Sequence, residues 1–575
     1  MTNREFGTET ILAVDVGSVN TRALLFDVVG ESYCFLGMGM APSTAGAPYM
    51  DINEGIHQAM EKLQETTSRV ILSREGQAIM PSADNVGFDR LVATFSVGND
   101  IRVVATGLLN DVSLESAQRL ISTNYAQIFE MVGLGDRRRT DAQIDAILAV
   151  NPDLFLITGG TDDGATRSVL RNVELVANVC RLLPAGKKPH ILYAGNKALT
   201  FRIKEYLDKL STFQSAENVR PSIDFQDISP ASEILAQTIA DIRASQIGGF
   251  EQLALTVNAP LTPTVHAFSR IIRFLSKMYG NNKGVLGIDL GASHTTVASG
   301  LGNTLLQTVY PIGVGQHAPQ VLLSNGLEQI MNWLSVELSP SVVRDAIWQK
   351  SLFPANIPQT KEELAVEHAL VKQILRMVMA QTRSRWPEMP GLYEPVIASG
   401  LALNTVSRPG QTLLMLLDGL QPSGVTTFLY DSAGVVAALG VIARINTLLP
   451  VQVLESKALL NLGTVITANS DAPAGTPILK AILRKDGSES PEKLELNIRA
   501  GTLSKLPVPP DQKMILQLVP LRKVDIEGYT RRGINSIRVI GGACGAIIDT
   551  RGRPLQLPTD HGKRRSLLHK WEESL

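Results

Sequence analysis

Cysteine is scarce: the 575 residues hold only three, Cys34, Cys180 and Cys544. They are widely separated and odd in number, which argues for a reducing compartment and against a disulfide framework or a cysteine metal site. Charge of one sign is missing too. The 54 Lys+Arg nearly balance the 55 Asp+Glu, a formal net charge of −1 at pH 7, so nothing electrostatic favours nucleic acid or an anionic membrane surface. Long apolar runs are absent. The best of them, residues 433–453, is interrupted by Arg444, Asn446 and Pro450, and is too broken for a transmembrane span. Residues 1–10 are polar, with Glu5 and Glu9, unlike a secretory signal. A cytoplasmic protein is the expectation. The glycine-rich stretch 159–164 does not fit Gly-x-Gly-x-x-Gly, and no Gly-Lys-Ser/Thr follows it, so neither a dinucleotide fingerprint nor a P-loop is present.

What is present is a core-forming composition, 44% hydrophobic and 19% charged, in a chain long enough for about two to four domains. Near the start, an apolar strand runs into Asp15-Val-Gly-Ser-Val-Asn-Thr21 and a second β-prone run follows. The pattern returns at Asp289-Leu-Gly-Ala-Ser-His-Thr295. A tight turn between two strands aligns successive backbone N–H groups into a nest for phosphate oxygens. Gly17 and Gly291 allow close approach, Ser18, Thr21, Ser293 and Thr295 add hydroxyls, and Asp15 and Asp289 are placed to hold hydrated magnesium. Two such turns facing each other would clamp a nucleotide, ATP with Mg2+, between two domains.

Along the chain, residues 31–40 extend the first strand pair, and 52–72 has helical spacing (Ile56, Met60, Leu63, Val70). Residues 91–109 read as two strands joined at Gly98-Asn99-Asp100, a hairpin signal. Residues 114–132 read as a helix, followed by Arg137-Arg138-Arg139, a solvated loop. Strand–glycine–helix units at 153–183 and 190–210 suggest a parallel αβ layer. The 159–164 loop is either a capped turn or an anion site at a helix start. Helix 265–278 precedes the linker 280–284, helices cover 322–335 and 361–385, and the strand at 393–403 leads to a Gly400 turn. Residues 433–448, with Gly434 and Gly440, read as a closely packed helix. Beyond Pro450, short β-prone runs at 457–468, 477–484, 493–499, 513–519 and a strand pair at 536–550 indicate a β domain. The tail from Arg551 is basic and reads as a solvated end.

Four motifs in this order resemble the glutamate mutase-associated MutL family, which is unrelated to mismatch-repair MutL. They are Asp15-Val-Gly-Ser-Val-Asn-Thr-Arg22, Asn151-Pro-Asp with Thr158-Gly-Gly-Thr-Asp162, Tyr193-Ala-Gly-Asn-Lys197, and Asp289-Leu-Gly-Ala-Ser-His-Thr-Thr296. The resemblance runs from about residue 11 to 448. It implies an α/β fold of duplicated actin-like (ribonuclease H-like) nucleotide-binding domains with an inserted αβ layer and, outside the resemblance, a C-terminal all-β domain. The divisions expected are 1–283 with the insertion at about 85–250, then 284–452, then 453–575. It also implies an ATP-dependent chaperone or reactivating factor for a cobalamin-dependent mutase, at most a slow ATPase and not itself the mutase, with Gly400 under the adenosine. Three departures stand out: Thr296 where the family has Asp, His294 for a Thr, and Leu401 for a second glycine. A lost carboxylate removes a magnesium or water-orienting group, so binding survives more easily than hydrolysis. His294 reads as a turn residue rather than a general base. The competing readings are a catalytically degenerate scaffold that recruits protein partners and, with no catalytic-base motif to support it, a small-molecule kinase.

Overall fold

The computed structural model describes residues 9–279, 283–324, 326–404, 408–485, 494–529 and 536–575. The chain divides into two compact units: residues 9–26 with 36–267, and residues 27–35 with 268–575.

The first unit contains β1 (Ile11–Val16), most of β2 (Asn20–Val29) and of β3 (Ser32–Pro42), β4 (Arg90–Phe95), β5 (Ile101–Thr106), β6 (Ala126–Val132), β7 (Leu154–Ile157), β8 (His190–Tyr193), β9 (Phe213–Ser215) and β10 (Thr262–Pro263). One sheet has the order β10-β4-β1-β2-β3, with β2 antiparallel to β1 and β4 parallel to it. The central strand β1 is apolar on both faces, Ile11, Leu12, Ala13 and Val14 all being buried, as a strand covered on two sides must be. The helix expected over 52–72 is shorter, Asn53–Thr67: it buries Ala59, Met60 and Leu63 and ends at Ser68 in the left-handed region, before Val70.

The remaining strands form the inserted layer, an all-parallel sheet of order β6-β5-β7-β8-β9. Two expectations fail here. Gly98-Asn99-Asp100 is not a hairpin turn: β4 and β5 lie in different sheets, and Gly98, at φ +95°, carries the chain from one to the other. Nor is 114–132 one helix. It begins in a π-helical turn, Asn110–Leu114, continues as Glu115–Ile121 and ends in β6. Ile128, Phe129 and Val132 suit a pleated edge better than a helix, and β5 offers them a partner.

The second unit repeats the first sheet. Its strands are β11 (Gly284–Leu290), β12 (Thr295–Leu301), β13 (Thr304–Tyr310), β14 (Tyr393–Ser399), β15 (Gly424–Asp431), β16 (Leu460–Thr467), β17 (Pro477–Lys485), β18 (Leu494–Arg499), β19 (Leu503–Leu506), β20 (Lys513–Pro520), β21 (Ile537–Ile540) and β22 (Ala546–Asp549). The long sheet runs β13-β12-β11-β14-β15-β16-β22-β19. Its first five strands repeat the connectivity of the first unit, an antiparallel neighbour on one side of the central strand and parallel strands on the other. That order is the duplicated ribonuclease H-like, actin-like arrangement expected from sequence. Helix Lys361–Arg385 opens with a complete capping box, Thr360 with Glu363.

The C-terminal β region is observed, but two of its features differ from expectation. β16 pairs antiparallel with β15, and β22 and β19 follow, so these strands continue the long sheet. β18-β17-β20-β21 form a sheet of their own, whose Ile478, Leu516 and Val539 share a core with Ile466 and Ile548. The 536–550 pair is therefore split, β21 to one sheet and β22 to the other. The tail is no solvated end. Arg551 is buried, bonded to Asp418 at 2.7 Å and Asp549 at 2.9 Å, with its guanidinium 4.6 Å from the Trp571 ring. A helix, His561–Glu573, follows, capped by Asp560. Arg551 and Arg553 are drawn in because the buried carboxylates of Asp418 and Asp549 need paired cations, whereas Lys563 and Lys570 stay exposed. The helix read at 433–448 is shorter, Val435–Ile442, with Gly434 as its cap at φ +81°. No helix among the described residues is long and apolar enough to cross a membrane.

Candidate functional site at the ends of the central strands

Both central strands end in the same device. Beyond β1 the Gly17 N–H donates to the Asn20 carbonyl at 3.0 Å, and beyond β11 the Gly291 N–H donates to the His294 carbonyl at 2.8 Å. A Cβ at Gly17 would lie 2.7 Å from the Asn20 oxygen, and one at Gly291 would lie 2.9 Å from that of His294. Neither turn accommodates a side chain there, which gives the two glycines a backbone reason whatever they bind.

Strand register sets what surrounds each aspartate. Asp15 stands between Arg22 of β2 and Thr94 of β4, with Thr262 of β10 next in the row. Its Oδ1 accepts from the Thr94 hydroxyl at 2.8 Å and the Thr264 hydroxyl at 2.9 Å, and the Arg22 guanidinium is 3.9 Å from Oδ2. Asp289 stands between Thr296 of β12 and Ser399 of β14, with Asp431 of β15 beyond. Asp431 is buried and consumed: its Oδ1 accepts from the N–H groups of Gly434 and Val435 and its Oδ2 from Val436, each at 2.9 Å. It caps the helix that follows and is no metal ligand.

The threonine hydroxyls expected on phosphate are turned inward. Thr21 is 1% exposed; its hydroxyl has no hydrogen-bond partner among the described residues and lies 3.3 Å from where a Gly55 side chain would begin. Thr295 is fully buried and donates to the Ile312 carbonyl at 2.7 Å. Ser293 donates to Gln316 at 2.6 Å, whereas Ser18 sits at the bend of the first turn, half-buried. His294 is buried, its ring 5.4 Å from that of His317, edge to face, and His317 Nδ1 is 2.8 Å from the Ser293 carbonyl. That packing fits a structural residue. Gly400, at φ +126°, directly follows Ser399; a Cβ there would meet the Leu290 carbonyl oxygen at 2.2 Å. Leu401 opens a short 3-10 turn, Leu401–Asn404. The strand end thus lies directly on the end of β11, where only glycine fits.

Sequence reasoning missed Thr94, Thr264, Ser399 and Asp431. Ser399 and Asp431 carried a signal, one immediately before Gly400 and the other three residues before Gly434, the glycine at which the helix begins.

In the inserted layer the motif loops bind each other. Gly159 and Gly160 have φ of +114° and +74°, the Asn196 N–H donates to the Gly159 carbonyl at 3.1 Å, and Asp162 accepts from the Lys197 N–H at 3.0 Å and from Asn218 at 2.9 Å. Asp162 therefore does not cap helix Arg167–Leu182, which has no side-chain cap. Arg138 is held by Asp136 and Glu130.

Among known proteins, Protein MutL of Clostridium tetanomorphum is 25% identical over 295 residues, 51% of this chain and 58% of that protein, so the match spans less than two thirds of the relative. Of solved structures, the ethanolamine utilization protein EutJ from Carboxydothermus hydrogenoformans has a TM-score of 0.29 at 9% identity, covering 76% of this chain and 90% of its own. The activator of 2-hydroxyisocaproyl-CoA dehydratase from Clostridium difficile scores 0.28 at 10% identity, covering 75% and 92%. Overlaps this low bear on neither fold nor function. The family model described as MutL protein matches residues 11–458, most of the chain, and the chain belongs to that family.

Proposed function

We propose that this protein binds ATP with Mg2+ at its glycine turns and uses it to act on a protein partner, a cobalamin-dependent mutase such as glutamate mutase, as a chaperone or reactivating factor. The observation that carries the reading is the repeated row, in which each central strand delivers an aspartate and a glycine turn to the carboxyl edge of its sheet. Phosphate would be held by backbone N–H groups around Gly17 and Gly291 rather than by Thr21 and Thr295, whose hydroxyls are buried.

Asp15 already has two hydroxyls on one oxygen and a guanidinium near the other, a poor setting for a second cation. Asp289 stands in register between Thr296 and Ser399 and would hold magnesium through water; the ion would neutralise phosphate charge. The test is calorimetry: magnesium-dependent ATP binding, lost in Asp15→Ala and stripped of its metal dependence in Asp289→Asn. Absence of nucleotide binding up to millimolar ATP sinks the proposal.

The scaffold reading is favoured by one observation, the buried Thr296 in place of a carboxylate. Sustained ATP turnover excludes it; binding without turnover supports it.

A further inference from the structure

The inserted sheet carries a feature that the nucleotide reading leaves unused. Its order, β6-β5-β7-β8-β9, puts the first strand inside the sheet, so consecutive connections diverge. Helix Glu115–Ile121, after β5, packs Ala117 and Leu120 into the core that holds Ala105. Helix Arg167–Leu182, after β7, packs Val169 and Val173 into the opposite one, with Val104 and Ile157. Open parallel sheets take ligands outside the carboxyl ends of their strands, where connections diverge in this way. At the same carboxyl edge, on the β6 side of that divergence, the loop that follows β5 and the one that follows β6 line a cleft of about 490 Å³, exposed at Asn110, Asp111, Gln118 and Met131, with room for a small molecule. The turn that presents Asn110 and Asp111 to it is the π-helical one, a rare form concentrated at functional sites.

The wall chemistry narrows the ligand. Carboxylates come from Asp111, Glu115 and Asp136, carboxamides from Asn110 and Gln118, and an apolar plate from Met131; no lysine or arginine lines the cavity. A phosphate or carboxylate ligand would meet three lining carboxylates and no lining cation. Two of the acids are already balanced, Glu115 by Arg119 at 3.0 Å and Asp136 by Arg138 at 2.7 Å, so the wall does not call for a multivalent cation either. Carboxylates accept from hydroxyls, carboxamides both donate and accept, and Met131 gives a C–H skeleton a surface to lie on. We propose that this cavity binds a neutral polyhydroxylated small molecule of the sugar or cyclitol class, independently of the glycine turns.

Gly135 supplies the test. Only the Asn110 amide nitrogen, at 4.0 Å, would meet a Cβ there, so Gly135→Leu fills the cavity without disturbing packed neighbours. Saturation-transfer NMR on the full chain would be run with ribose, glucose, myo-inositol and glycerol in turn, at millimolar concentration. At least one should give a saturable signal that vanishes in folded Gly135→Leu, weakens about tenfold in Asp111→Asn, and persists in Asp15→Ala. No signal from any of the four overturns the proposal. So does binding undiminished in Asp111→Asn, which decides the matter even if Gly135→Leu fails to fold, and so does tighter binding of glucose 6-phosphate than of glucose.

Discussion

The two units build the same turn and surround it differently. In the first, the row across the sheet reads Arg22, Asp15, Thr94, Thr262; in the second it reads Thr296, Asp289, Ser399, Asp431. The glycine turns themselves are set by backbone geometry and are nearly interchangeable. The neighbouring strands are not. One aspartate faces a cation, and the other faces hydroxyls beside an acid that is spent on a helix cap. Duplication preserved the glycine turn, while the strands that flank it diverged.

The sharpest way to break the likeness is at Gly400, whose counterpart in register is Phe95, an ordinary buried residue. Gly400→Ala combines a left-handed φ with a Cβ 2.2 Å from a carbonyl oxygen, so unfolding in urea should show a loss of roughly 3 kcal/mol or more. Acid should separate the units next. Burial, and then the nearby Lys372 charge, push the His368 pKa down to about 4. The unfolded chain takes up that proton below about pH 6.5 while the folded one refuses it. Stability present above pH 6.5 is therefore lost as pH falls toward 4, by up to roughly 3 kcal/mol. His190 of the inserted sheet is shifted the same way by burial, with Asp241 opposing. Hydrogen exchange from pH 7 to 4 should show helix Lys361–Arg385 opening first, and His368→Gln should flatten the slope.

A smaller effect is expected from Thr296→Asp, which restores the family's acid. Thr296 is 2% exposed and opposite Asp289, so a carboxylate there should cost about 2 kcal/mol without metal and less with Mg2+ and ATP. Single-turnover hydrolysis should rise more than ATP affinity changes; a folded, ATP-binding variant with no gain in rate shows that Thr296 is not the missing position. The mildest change is Arg22→Thr, which puts a threonine opposite Asp15 as Thr296 stands opposite Asp289. A pair 3.9 Å apart contributes under about 1 kcal/mol, so thermal melting should barely move, while ATP affinity should become more magnesium-dependent.

Both turns were legible in sequence because an apolar run ending in Asp-x-Gly is a local signal. So were most strands of the second unit, for the same reason. The errors share a cause, which is that pairing partners are chosen at long range. Gly98-Asn99-Asp100 looks like a hairpin until β5 pairs with β6 and β7 instead of β4. Nothing local announces that Thr264 reaches Asp15 from 249 positions away, or that Arg551 abandons solvent for Asp418. Thr21 and Thr295 sit where hydroxyls on phosphate were expected, yet strand alternation turns both inward, a consequence of register that the motif alone does not contain.

The pairing of β15 with β16 along Gly424–Tyr430 constrains how this protein can be cut apart. A fragment stopping near residue 452 would keep the second glycine turn but strip one whole flank from β15, leaving a row of unpaired amides beside Phe428 and Tyr430. Such an edge recruits other chains. Dissection should therefore leave the second unit whole, with β16, β19 and β22 attached, because the sheet that carries its glycine turn and its C-terminal β region are inherited and expressed as a single piece of fabric.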